Sequence, residues 1–261
     1  MTTPNGPAGP AAGSAADDPL PEAMMLVRGA SQAGYRLKIL GGLGVRVLCP
    51  DFPPRMRAGQ DMDLACLGKT RRQLAGYLES AGCQPDKRFN NLNGDLQMYF
   101  MAPSGRPIDV MVDRLSMCHT LDFRPSFSTP SPTLDPADLL LSKLQIFELN
   151  AKDAHDIIHL LSGVRVGRDA TRPFIDTDRF GSVLAGDWGW WRTVTGNLAK
   201  LPGLIVLELV PGFLEQWQYI ILEVHRHTPP SIRLFQPRNQ GSLRGGPSRK
   251  SFPHVPTHVC A

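Results

Sequence analysis

Two carboxylates one residue apart inside an apolar run constrain this chain more than any other feature: Gly59-Gln60-Asp61-Met62-Asp63-Leu64. In an extended strand successive side chains alternate faces, so Asp61 and Asp63 share one side while Met62 and Leu64 enter a core on the other. Two anions on one surface repel, and burying an unpaired carboxylate is costly unless its pKa shifts until it neutralises. A divalent cation removes both penalties. Mg²⁺ takes hard oxygen ligands, typically one or two carboxylates together with substrate phosphates. The pattern predicts a strand carrying a metal-assisted phosphoryl- or nucleotidyl-transfer site.

Other segments add to that strand. Leu37 to Leu40 reads as a short strand ending in Gly41-Gly42, and the residues from Leu43 to Leu48 continue as a helix. Strand, glycine pair and helix let backbone N–H groups approach a phosphate, helped by the positive helix end, although an ordinary tight turn has the same layout. It is not a P-loop: Gly68-Lys69-Thr70 occurs later, but Asp63 stands where that motif needs its first glycine. The proline-rich loop from Cys49 to Gln60 delivers Arg55 and Arg57 ahead of the acids, where Arg57 suits an aspartate or a phosphate. Within Ile108-Asp109-Val110-Met111-Val112-Asp113, Asp109 lies between core residues, and Asp113 is the alternative if the register differs.

The remaining pattern predicts a mixed α/β core with flanking helices, followed by a helical C-terminal region. Helices are expected over Pro21 to Arg36, with Met24, Val27 and Ala30 as its apolar side, and over Lys69 to Ala81. Strands are expected at Arg88 to Leu92, Leu96 to Ala102 and Pro107 to Val112, separated by Asn93-Gly94 and Ser104-Gly105 turns. Asp135 as N-cap, Pro136 and Asp138 open an apolar helix to about Asn150, in which Lys143 is the only basic residue. A second helix to Ser162 carries Lys152, Asp153, His155, Asp156 and His159, and Phe174 to Leu201 reads as helical. The expected organisation is a disordered segment over 1–20, the α/β core over 21–133, the helical region over 134–224 and a basic disordered tail over 225–261.

Among 261 residues, 42% are hydrophobic, enough for sizeable cores, and no run approaches the roughly 18 apolar residues of a membrane helix. Met1 to Pro21 has no basic residue and no apolar segment, unlike a secretory signal. The cysteines, Cys49, Cys66, Cys83, Cys118 and Cys260, are scattered without a Cys-x-x-Cys pair. That is the pattern of a reduced cytoplasmic protein. Arg226, Arg233, Arg238, Arg244, Arg249 and Lys250 exceed the net charge of +4, so the tail is basic and the body mildly acidic. Such a tail attracts nucleic acid without specifying a sequence.

Gly41-Gly42, Arg57-x-x-x-Asp61-Met62-Asp63, Ile108-Asp109-Val110, Lys143 and Lys152-Asp153-x-x-Asp156 occur in the order seen in the nucleotidyltransferase superfamily. More narrowly, the chain resembles the AbiEii-type abortive-infection toxins over residues 25–162. The resemblance implies a nucleotidyltransferase-type sheet and transfer of a nucleoside monophosphate from an NTP to a hydroxyl, with RNA or tRNA ends as acceptor. It further implies that Asp61 and Asp63 ligate Mg²⁺ (or Mn²⁺), while Asp109 completes the site and helps deprotonate the attacking hydroxyl. Gly41, Gly42, Arg57 and Lys143 would meet the nucleotide, with Asp153 and Asp156 orienting the lysine or the nucleotide. An antitoxin protein is the implied partner. Where many relatives place Ser or Thr after the first glycine, this chain has Gly42, which removes one hydroxyl from the phosphate site.

Rival readings exist for several of these residues. His155-Asp156-Ile157-Ile158-His159 has two histidines at i and i+4, but metalloproteases carry Glu between them and no third ligand is near. Trp188, Trp190 and Trp191 could stack bases, although clustered helical aromatics are more often core anchors. Small-molecule nucleotidylation, as of an antibiotic, and a non-catalytic binding protein of the same fold are the competing functions.

Overall fold

Alternation places Met62 and Leu64 at zero exposure while Asp63 between them stays partly open, so the acid strand is half core and half site. The computed structural model describes residues 18–52, 60–168, 173–204 and 212–226. The expected mixed α/β architecture is present. Helix α1 (Leu20–Gln32) leads into β1 (Leu37–Ile39), α2 (Gly41–Leu48) and β2 (Met62–Cys66). Helix α3 (Arg71–Ser80), β3 (Gln84–Pro85), α4 (Lys87–Asn93), β4 (Gln97–Met101) and β5 (Pro107–Val112) follow. These strands form a five-stranded mixed sheet in the order β1-β2-β5-β4-β3, in which β2 and β5 run parallel and the other neighbours antiparallel.

One face of the sheet is oily because Met62, Leu64, Met98, Phe100, Ile108 and Val110 all point there. Helix α1 closes it with Ala23, Leu26, Val27 and Ala30, a set of i, i+3, i+4 and i+7 positions, and α3 with Leu74 and Leu78. Each such fully buried Leu, Val or Met contributes about 1.5–3 kcal/mol relative to exposure. The apolar side of α1 is thus turned slightly from the expected one, with Met24 only partly buried.

The opposite face carries the acids and is flanked by a second core. A short hairpin, β6 (Arg114–Ser116) and β7 (Thr120–Asp122), precedes α5 (Pro136–Leu144) and α6 (Ala151–Gly163). Next come a parallel pair, β8 (Arg165–Gly167) and β9 (Phe174–Asp176), then α7 (Thr177–Gly186), α8 (Trp188–Leu204) and α9 (Phe213–Arg226). Every residue of α5 is buried, which is why its sequence is apolar all round.

Several expectations need correction. Arg88 to Leu92 is not a strand: Asp86 accepts a hydrogen bond from the Phe89 amide and caps α4 there. The helix expected from Asp135 to Asn150 ends at Leu144, because Asn150 caps a new helix by accepting from the Asp153 amide. Asn197 donates to the carbonyls of Leu144 and Ile146, satisfying the interrupted end. Phe174 to Leu201 is a strand and two helices, opened by the Asp176 cap on Asp178 and Arg179. Asp135 occupies the N-cap position without capping; its carboxylate accepts from Thr129. Asp138, expected as the first-turn acid of this helix, stands there and is buried, held by Arg179 at 2.8 Å and Ser126 at 2.6 Å. At the N-terminal boundary, Asp18 pairs with Arg46 at 2.5 Å. Arg57, residues 1–17 and most of the basic tail lie outside the described residues. No described helix is long and apolar enough to cross a membrane.

Candidate active site

Parallel pairing of β2 with β5 puts Asp63 directly beside Asp109, and Asp61 precedes β2 on the same side. One carboxylate oxygen from each of Asp61, Asp63 and Asp109 falls within 4.8 Å of the others. Among the described residues this is the one group of three acid, histidine or cysteine side chains with that geometry. Three carboxylates so close strain each other electrostatically. Burial, then Asp61, pushes the Asp63 carboxyl up to about 6, with Lys143 pulling it down and Asp109 pushing it further up. Burial also raises Asp109, partly offset by a hydrogen bond from Gln97 and reinforced by Asp61.

Gly41 is built against this cluster. Its φ is +67°, a left-handed conformation that L side chains rarely adopt, and a Cβ there would stand 2.3 Å from Asp63 Oδ2. The turn is fixed by the Leu40 amide donating to the Asp63 carbonyl at 2.9 Å. Glycine therefore lets α2 begin in contact with the acid, and the first amides of α2, from Gly41, Gly42 and Leu43, lack intrahelical carbonyl partners. A helix start of this kind favours an anion, and here it abuts a prospective cation site.

Lys143 on α5 is close enough to the acids for its charge to act on Asp63. Its ammonium lies 3.0 Å from Asp153 and 2.9 Å from Asp156, both one turn apart on α6. Burial works against the charge, but Asp156 and then Asp153 outweigh it and hold Lys143 above the ordinary lysine value. Asp153 and Asp156 thus hold the lysine and are not lined up with the three-acid cluster. Asp113, the alternative acid, is elsewhere: it has a φ of 61° past the end of β5 and accepts from the Gly68 amide at 2.9 Å. The two helix histidines pack ring against ring, centroids 3.9 Å apart, with Phe52 stacked on His159 at 4.3 Å, and Asp156 faces Lys143, so no zinc trio forms there. Trp190 is buried against His119 and Trp191 donates to the Val224 carbonyl, whereas Trp188 is 56% exposed.

Gln97 escaped the sequence reading. It donates to Asp109 Oδ1 at 2.5 Å, and only the register of β4 on β5 brings the two together. The donor set fits a hard divalent cation: three oxygen-only side chains, crowded and partly desolvated, whose mutual repulsion a Mg²⁺ or Mn²⁺ ion would relieve.

No family model matches the chain, and no curated protein does. Among solved structures, it is similar to the lincosamide antibiotic adenylyltransferase LnuA bound to lincomycin, at 15% identity over 54% of this chain and 94% of that one, with a TM-score of 0.41. It is also similar to an antigenic nucleotidyltransferase-like protein from Paracoccidioides brasiliensis, at 14% identity over 71% and 89% of the two chains and a TM-score of 0.41. A third is the antibiotic-resistance factor ANT(2'')-Ia, at 13% identity over 80% and 95% and a TM-score of 0.33.

Proposed function

We propose that the protein is a metal-dependent nucleotidyltransferase that moves a nucleoside monophosphate from an NTP to a hydroxyl, with an RNA end, tRNA included, as acceptor. The observation that carries the reading is the meeting of three carboxylates, two from the paired strands β2 and β5 and one just before β2, at the glycine-built start of α2. Asp61, Asp63 and Asp109 would hold Mg²⁺ or Mn²⁺, which when bound neutralises charge on the triphosphate and favours the attacking and leaving oxygens. The acceptor oxygen attacks the α-phosphorus, the bond to the bridging oxygen of the β-phosphate breaks, and pyrophosphate leaves. Asp109, beside the attacking oxygen, would take the hydroxyl proton. The amides of Gly41 and Gly42 meet phosphate oxygens, while Lys143 adds positive charge near Asp63 and is kept in place by Asp153 and Asp156. Arg57, in the segment just before Asp61, would reach the phosphates. The order of these motifs supports an AbiEii-type toxin, for which an antitoxin protein would be the partner.

The test is incubation with each α-labelled NTP, Mg²⁺ and total RNA. Label on RNA that disappears with Asp63→Asn is the expected result; label on a small hydroxyl compound instead would replace the acceptor class. No transfer and no nucleotide-dependent thermal shift would leave only a binding protein.

A further inference from the structure

We infer that Gln97 is a positioning residue that sets the orientation of Asp109 for metal binding, an inference that rests on the nucleotidyl-transfer reading of the same site. On the antiparallel β4–β5 pair, Tyr99 stands opposite Asp109 and Gln97 opposite Met111. Gln97 is therefore the diagonal neighbour of Asp109 on the same face, a separation that only a long side chain spans. Its amide nitrogen reaches Asp109 Oδ1. A carboxylate has about four acceptor sites, so a single donor fixes the group and leaves the rest for the space shared with Asp61 and Asp63.

The choice of donor matters. A lysine or arginine at this position would pair with Asp109 and cancel the charge that attracts the ion. A neutral amide orients the carboxylate and leaves its charge in place.

Gln97 is itself held. Asn90 donates to the Tyr99 carbonyl at 3.1 Å, which also accepts from the Asp86 amide just past β3, and Asn90 accepts from the Tyr99 amide at 2.6 Å. Strand β4 is thus pinned on both sides within two residues of Gln97: by β5 on one edge and by the Asn90 side chain on the other. Fixed partners of ligating carboxylates commonly change metal affinity or activity by about 10–100-fold when removed.

The experiment measures Mn²⁺ binding directly, by the loss of the free-ion electron paramagnetic resonance signal, for the wild type, Gln97→Met and Gln97→Asn. Methionine keeps the length without a donor, and asparagine keeps the amide without the reach. Both variants are expected to bind Mn²⁺ about tenfold or more weakly, with metal-free melting temperatures lowered by no more than a few degrees. The Mn²⁺ concentration for half-maximal nucleotidyl transfer should rise by the same factor, while KM for the NTP at saturating Mn²⁺ stays put. A wild type that binds Mn²⁺ alongside variants within twofold of it overturns the role of Gln97 alone. A wild type that binds none removes the metal-dependent reading, and the inference with it.

Discussion

Replacing Gly41 with alanine strikes the contact between the helix start and the acid cluster. Two costs follow from the geometry. An alanine at φ +67° loses about 1–2 kcal/mol to left-handed strain. Its Cβ would also stand 2.3 Å from Asp63 Oδ2 and 3.2 Å from Cγ, whereas ordinary contact begins at 3.4 Å. The carboxylate must therefore retreat by roughly 1 Å, and a misplacement of that size in a reacting assembly costs about 10²-fold in rate. For a protein of this size, about 1–2 kcal/mol lowers the melting temperature by about 2–8 °C. Gly76→Ala is the control, since Gly76 is an exposed position of α3 with nothing within 4 Å of a new Cβ; it should gain about 0.5–1 kcal/mol and leave transfer unchanged. Labelled-NTP transfer and thermal melting of both variants give the answer. A Gly41→Ala protein that transfers within threefold of the wild type refutes the reasoning that this turn is shaped around Asp63.

Removing the Lys143 charge with Lys143→Met leaves Asp153 and Asp156 buried without their cation, and urea denaturation should register a loss of about 3–5 kcal/mol. The Asp63 carboxyl is raised above its ordinary value, so its contribution to stability is full below about pH 4 and is lost as pH rises through about 6. In EDTA, therefore, the stability of the wild type relative to Asp63→Asn should fall by an amount on the order of 3 kcal/mol between pH 4 and pH 7, and Mg²⁺ should restore it. Asp113→Asn should keep transfer activity, because asparagine tolerates the left-handed backbone and Asp113 serves the Gly68 turn; a rate loss equal to that of Asp109→Asn would put Asp113 back in the site.

Much of the site was legible because strand alternation is a local rule. Asp63 and Asp109 each lie between apolar neighbours, Asp61 stands two positions before Asp63, and the two strands then pair in register. Gly41 was legible as a turn, but its collision with Asp63 depends on a contact 22 positions away that no local pattern encodes. The misread segment shows the same limit from the other side: Arg88-Phe89-Asn90-Asn91-Leu92 has a strand-like mixture, and the deciding signal was Asp86 as a cap three residues before Phe89. Lys143 and its two aspartates were expected together, and a second helix starting near Asn150 was legible, yet the end of α5 at Leu144 was hidden by the apolar run through Leu149. Gln97 gave no signal at all, since a polar residue on the open face of a strand is unremarkable until the neighbouring strand supplies Asp109.

The most direct measurement is anomalous diffraction from crystals grown with Mn²⁺ and a non-hydrolysable NTP. Mn²⁺ is expected among the Asp61, Asp63 and Asp109 carboxylates, with the triphosphate against the amides of Gly41 and Gly42. A nucleotide bound elsewhere, or Mn²⁺ with no ligand from these three acids, would contradict it.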